Sequence, residues 1–236
     1  AKMTIETSRN FQSGSVVVLI ARSLQGLEAT KQEILKNNSE LRVFIKAMDL
    51  TKPVAEDLKE FYDETIDFDL FFMIHNVGTL GDVGKWSKDI NDYDELQNYF
   101  STNVFGPIIV NNFFLKLAKP SAQKFVVNIT SKAAIAPFKS FAFYCPGKAA
   151  REMFFRVLAE ESNDVLVLNY SPGPVDTEMT VDAQKNAVAT ETSKMFREAR
   201  ETGTILTTEQ TTKRFLEVIA KGNYQSGDHV DFYDDI

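Results

Sequence analysis

The chain has 236 residues, 44% hydrophobic and 25% charged, enough for one α/β domain with a well-buried core. A net charge of −7 argues against nucleic acid or an anionic membrane as partner. The apolar runs, VVVLIA and DLFFMI among them, are strand-length and well short of a membrane span, and the single cysteine, Cys145, excludes an internal disulfide framework. With no secretory signal in view, the expectation is a cytoplasmic protein. In chain order, the periodicity predicts a helix over 2–10, a strand over 15–21, a helix over 24–36 and a strand over 41–48. A helix over 54–65 and a strand over 69–75 follow, then a long helix over 92–117 that Pro120 closes. Strands over 124–129 and 165–169 flank a helix over 141–161. The polar, mixed-sign stretch 182–206 reads as a mobile excursion with some helix, placed where a lid over a site would lie. A helix over 209–221 and a strand over 229–232 end the chain. Such alternation predicts one domain built on a parallel sheet covered on both faces, a doubly wound Rossmann-like fold.

Chemistry concentrates in NITSKAAIAPFKSFAFYCPGK. Tyr144 and Lys148 are four apart, so on a helix the ammonium stands one turn from the phenol; Ser131 precedes Tyr144 by thirteen residues. A phenol is a weak acid, with an ordinary pKa of about 10, and a neighbouring cation favours its ionised form. The set suits proton delivery to a substrate oxygen. Ser131 alone reads as a strand-end hydroxyl capping a turn. Pro146 fits only a first helical turn, so the helix is expected to begin near 141–143. His75 reads as a packing or hydrogen-bonding residue. His229 has no second histidine nearby, so no metal site is expected. Cys145 has no thiol-activating neighbour in sequence.

Four motifs in order resemble the short-chain dehydrogenase/reductase family: HNVG at 75–78, Asn103 in STNVFGP, the Ser131, Tyr144 and Lys148 set, and SPGPVDTEM at 171–179. The resemblance runs from about Thr4 to the end. It implies hydride transfer from a reduced nicotinamide to a carbonyl, with Asn103, Ser131, Tyr144 and Lys148 as the catalytic set. Tyr144 would protonate the carbonyl oxygen and Ser131 would hydrogen-bond it. Lys148 would lower the tyrosine pKa and hold the nicotinamide ribose, and Asn103 would keep a relay water in place. Cofactor contacts would come from Arg22, Ser23, Asp49, Leu50, Asn76, Val77, Gly78, Tyr144, Lys148, Pro172, Gly173, Val175, Thr177 and Met179. The second strand in family order ends LIARS with no acidic residue. Arg22 there favours the 2′-phosphate of NADP(H) over NAD, unless it is simply a solvated charge.

Within the family, TLGDVGK at 79–85, APFKSFAFYCPGKAAREMFF at 136–155 and the tail SGDHVDFYD at 226–234 most resemble the sepiapterin reductases. That likeness implies a pterin substrate held by Ser131, Tyr144, Gly173, Met179 and Asp231. The Asp231 carboxylate would accept two N–H bonds from the ring's guanidine-like edge. It also implies a homodimer, with the phenylalanine pairs at 113–114 and 154–155 on the paired helices. Two alternatives stay open: a reductase of other small ketones or dicarbonyls, and a non-catalytic dinucleotide-binding homologue.

The family opens with a strand and a turn, Thr-Gly-x-x-x-Gly-x-Gly, that cradles the pyrophosphate. Residues 1–11, AKMTIETSRNF, instead resemble the helix that follows that turn. The expectation is that ~20–30 further residues precede them; a truncated, cofactor-poor homologue is the alternative. Without that strand, its two neighbours would stand about two spacings of ~4.8 Å apart.

Overall fold

The computed structural model describes residues 2–52, 58–59 and 68–235. Elements run α1 Lys2–Ser8, β1 Val16–Ala21, α2 Leu24–Asn37, β2 Arg42–Ala47, β3 Leu70–His75, α3 Tyr93–Phe100, α4 Gly106–Leu117 and β4 Gln123–Ile129. They continue as α5 Tyr144–Glu161, β5 Val165–Ser171, α6 Glu178–Asn186, α7 Thr190–Glu201, α8 Thr208–Lys221 and β6 His229–Asp231. The predicted helix over 54–65 falls outside the described residues apart from positions 58 and 59.

All ladders are parallel, in two groups: β1 with β2, and β3–β4–β5–β6. No ladder joins β1 to β3 among the described residues. The groups are tied across their faces instead. On one face, Ile5 of α1 is buried with Val17, Leu19 and Ile34, while Met3 of the same helix packs on the Val127, Leu168 and Phe215 cluster. On the other, Val110 of α4 is buried with Met48 and Leu50 beyond β2, against Ile20 of β1 and Val77 after β3.

Two elements depart from expectation. The long helix over 92–117 is two helices joined by a π turn, Ser101–Phe105. Pro107 explains the break: it has no N–H to give the Asn103 carbonyl four residues back, and Gly106 donates instead to Ser101, five residues back. The polar excursion is two packed helices, α6 and α7. Ala183 and Phe196 on them are buried with Leu80, Val83 and Phe141, an apolar stripe hidden by the surrounding charge. Helix α5 opens at Tyr144, which leaves Pro146 in its first turn as the proline required.

Candidate active site

The carboxyl ends of β3, β4, β5 and β6 open on one cavity of about 790 Å³, the side on which open α/β sheets bind ligands. Its wall brings together Ser131 after β4, Tyr144 and Lys148 on α5, Pro172 and Gly173 after β5, and Asp231 on β6. Asn76 and Gly78 line it from the β3 end, and Val175, Thr177 and Met179 from the segment entering α6. Arg22, Ser23, Asp49, Leu50 and Val77 do not line it. Arg22 and Asp49 follow the neighbouring strands β1 and β2 and are exposed. Ser23 caps α2, its hydroxyl accepting from Gly26 N at 3.1 Å. Asp49 accepts from Thr51 N at 2.9 Å, and that bond, with a lesser pull from Arg22, lowers its pKa. The Leu50 side chain is buried with Met48 and Val110.

Ser131 does cap a turn: its hydroxyl accepts from Ala133 N at 3.2 Å. It also acts on the Tyr144 phenol, easing its ionisation. Burial raises the Tyr144 pKa above its ordinary value, and the Ser131 hydroxyl and the Arg151 charge partly offset this. The expectation gave that second role to Lys148. Lys148 is itself buried, donating to Ile129 O at 2.7 Å with its Nζ 5.5 Å from the Tyr144 ring centre. Burial first, then Arg151, holds its pKa well below the usual lysine range, with Glu152 opposing. Burial lowers the Arg151 pKa as well, to about 10, which leaves its guanidinium charged at neutral pH.

Asn103 lies in the π turn behind the cavity and is 4% exposed. Its side-chain oxygen accepts from Thr79 N at 2.7 Å, and its amide donates to Tyr99 O and to the Thr79 hydroxyl. Its backbone carbonyl, which Pro107 has no N–H to reach, accepts from Arg151 Nη1 at 3.2 Å. Asp231 is held from two sides, by the Ser171 hydroxyl at 2.6 Å and by Tyr233 N at 3.1 Å. Its strand is fastened to α5, since His229 Nδ1 lies 2.9 Å from Glu152 Oε2, which also accepts from the Thr130 hydroxyl at 2.6 Å. The substrate-side wall and the helix bearing Tyr144 are therefore one bonded unit. Cys145 is half-buried, and burial raises its pKa, so it is a weak nucleophile here.

Sequence reasoning missed Arg151 and Glu152. A signal was present: 144, 148, 151 and 155 follow helical spacing, and Lys148, Arg151, Glu152 and Phe155 are all buried. It also missed a polar row across the sheet, where His75, Asn128, Asn169 and His229 stand in register on four adjacent strands. His75 Nε2 there meets Asn111 Oδ1 at 3.1 Å, and burial lowers its pKa to about 4.

The cavity has room for a dinucleotide's reactive end, and two features fit one. Gly173 adopts φ +73 in the loop after β5, where a Cβ would stand 2.8 Å from Leu206, and Gly78 leaves the backbone bare after β3. No helix among the described residues is long and apolar enough to cross a membrane.

The chain matches the family described as short chain dehydrogenase over residues 6–188. It is 37% identical to sepiapterin reductase of Xenopus tropicalis over 226 residues, 94% of this chain and 87% of the relative. It is 36% identical to the Rattus norvegicus enzyme of that name over 227 residues, with the same coverage. Benzil reductase ((S)-benzoin forming) of Bacillus subtilis is 32% identical over 183 residues, 71% of this chain and 72% of that one. Among solved structures, a short-chain dehydrogenase/reductase from Saccharomyces cerevisiae superposes with a TM-score of 0.82 at 23% identity, covering 99% of this chain and 91% of that one.

Proposed function

The chain belongs to the short chain dehydrogenase family of oxidoreductases, and we propose that it reduces the side-chain carbonyl of a pterin with NADPH, a step of tetrahydrobiopterin synthesis. The supporting observation is that a proton donor and a carboxylate suited to a pterin edge, Tyr144 and Asp231, share one cavity. Arg22, exposed at the end of β1, supports the 2′-phosphate of NADP(H). A Shigella flexneri short chain dehydrogenase of the same fold is described as complexed with NADP.

The bound nicotinamide would supply the hydride. Ser131 hydrogen-bonds the carbonyl oxygen and orients it toward the phenol. Tyr144 gives up its proton to that oxygen as charge develops there, a transfer that general acids accelerate by about 10²–10⁴-fold. Lys148 steadies the phenol and the ribose. Asn103 takes part through its carbonyl: Arg151 uses one lone pair and the other orders a relay water. Asp231, pre-set by Ser171 and Tyr233, accepts the ring's N–H pair.

One observation favours a second substrate class, small aryl ketones or dicarbonyls. The wall near Tyr144 is largely apolar, with Leu80, Phe138, Phe141 and Phe196. The deciding experiment follows NADPH and NADH oxidation with sepiapterin and with benzil. The proposal expects NADPH and sepiapterin to be preferred. Dinucleotide binding without turnover of either carbonyl would refute it.

A further inference from the structure

We propose that Arg151 is a positioning residue of the reducing centre: its guanidinium clamps three backbone carbonyls that border the helix bearing Tyr144 and Lys148, two helical turns from the phenol. This deepens the reductase reading and rests on it. Arg151 is 1% exposed and lies two helical turns after Tyr144. Nη1 donates to Val77 O at 2.6 Å and to Asn103 O at 3.2 Å, and Nη2 donates to Ile129 O at 2.7 Å. Those carbonyls belong to the segment after β3, the π turn and the end of β4, the three pieces of backbone that border the catalytic helix. Ile129 O is the same oxygen that accepts from Lys148. One acceptor shared by two nitrogen donors fixes where the Lys148 Nζ sits relative to the Tyr144 ring.

Two details set the arrangement apart from ordinary core packing. Arg151 forms no ion pair among the described residues, although a buried charge normally requires one. Its Nε has no hydrogen-bond partner among them either. Pro107, four residues on, has no N–H for the Asn103 carbonyl, and the guanidinium bonds that carbonyl instead, so the π turn and Arg151 fit each other. A planar fork can bridge three carbonyls in this way and a lysine cannot. The titratable groups around the guanidinium are Tyr144, Cys145, Lys148 and Glu152 on its own helix, Tyr99 on α3 and His75 on β3.

The test compares Arg151→Met and Arg151→Lys with wild type, reading kcat and the ionisation of Tyr144. The ionisation is taken as the ultraviolet phenolate titration remaining after subtraction of the matching Tyr144→Phe background. Arg151→Met is expected to lose kcat by about 10-fold or more and to shift Tyr144 ionisation upward by about one pH unit. Arg151→Lys loses the clamp, and a lysine buried there is pushed toward its neutral form as Lys148 is, so both kcat and ionisation are expected to follow Arg151→Met. A folded Arg151→Met variant with Tyr144 ionisation unmoved, or Arg151→Lys with wild-type kcat, would overturn the proposal. Failure of both variants to fold would assign Arg151 to the core alone and overturn it too. The titration needs no turnover, so a wild-type protein that reduced no carbonyl would refute the substrate reading and leave this one still decidable.

Discussion

Tyr144 is set between opposing influences: burial keeps its proton on, while the Ser131 hydroxyl and the Arg151 charge ease its release. In the proposed mechanism the protonated phenol is the donor, so reduction is expected to hold at low pH and decline as pH rises through the Tyr144 pKa, which lies above the ordinary tyrosine value. A pH profile of kcat checks this, and a decline toward acid would contradict it. Tyr144→Phe is expected to lower kcat by about 10²–10⁴-fold with NADPH affinity, read by fluorescence, little changed. At the far wall, Asp231→Ala is expected to raise the KM for a pterin by about tenfold or more while barely affecting a small diketone, since only the pterin offers the paired N–H edge. Equal effects on both substrates would remove Asp231 from pterin recognition. The Ser131, Tyr144 and Lys148 set was legible in the sequence because a fixed spacing on a helix is local information. Arg151 was not, because a charged residue in KAAREMFF looks like a solvated face until the strands it meets are known.

Among the elements, the π turn shows how one residue pair redirects a helix. Hydrophobic periodicity continues unbroken from 92 to 117, so pattern alone predicts one helix; the missing N–H of Pro107 breaks it. Gly106 lets the turn press against the segment after β2, where an added Cβ would meet Leu50 O at 2.3 Å. Gly106→Ala is therefore expected to destabilise the fold by about 1–3 kcal/mol in urea unfolding, and to lower kcat by displacing Asn103. An unchanged midpoint would contradict this close approach. The α6–α7 pair escaped sequence reading for the opposite reason: its surface is densely charged and its buried stripe narrow. Arg200 near the end of α7 bonds Asp176 at 3.0 Å and the Thr180 hydroxyl at 2.8 Å, and Ser140 accepts from Ala189 N at 2.8 Å. Both ends of the pair are tied down beside the cavity.

At the scale of the molecule, the alternating strand and helix pattern made the parallel α/β fold legible, and the family resemblance made legible the gap between β1 and β3. The packing of Met3, Ile5 and Val110 across the two groups was not legible, because it depends on contacts between distant segments. The buried polar row adds a pH dependence. His75 has a folded pKa of about 4 against an ordinary 6.5, so the unfolded chain binds its proton first. Stability is whole above about pH 6.5 and is lost as pH falls toward 4, by roughly 3 kcal/mol from this group. Urea unfolding from pH 7 to pH 4 should show that loss, and His75→Gln should flatten it. Phe105 and Ile109 around the start of α4, and Met153 and Val157 on α5, are exposed apolar side chains at helical spacing and fit the homodimer that the resemblance implies, whereas Phe155 of the expected phenylalanine pair is buried in the chain's own core. Met153→Asp is expected to shift the sedimentation coefficient toward a monomer.

The claim beneath all of this is that hydride from a reduced nicotinamide reaches a carbonyl carbon while Tyr144 protonates its oxygen. Incubation with sepiapterin and NADPH deuterated at the transferring position tests it most directly, with the product read by mass spectrometry. The expected result is a product with one deuterium on the new carbinol carbon, formed about 10²–10⁴-fold more slowly by Tyr144→Phe. A product without deuterium, or labelled product formed equally fast by both proteins, would contradict the account.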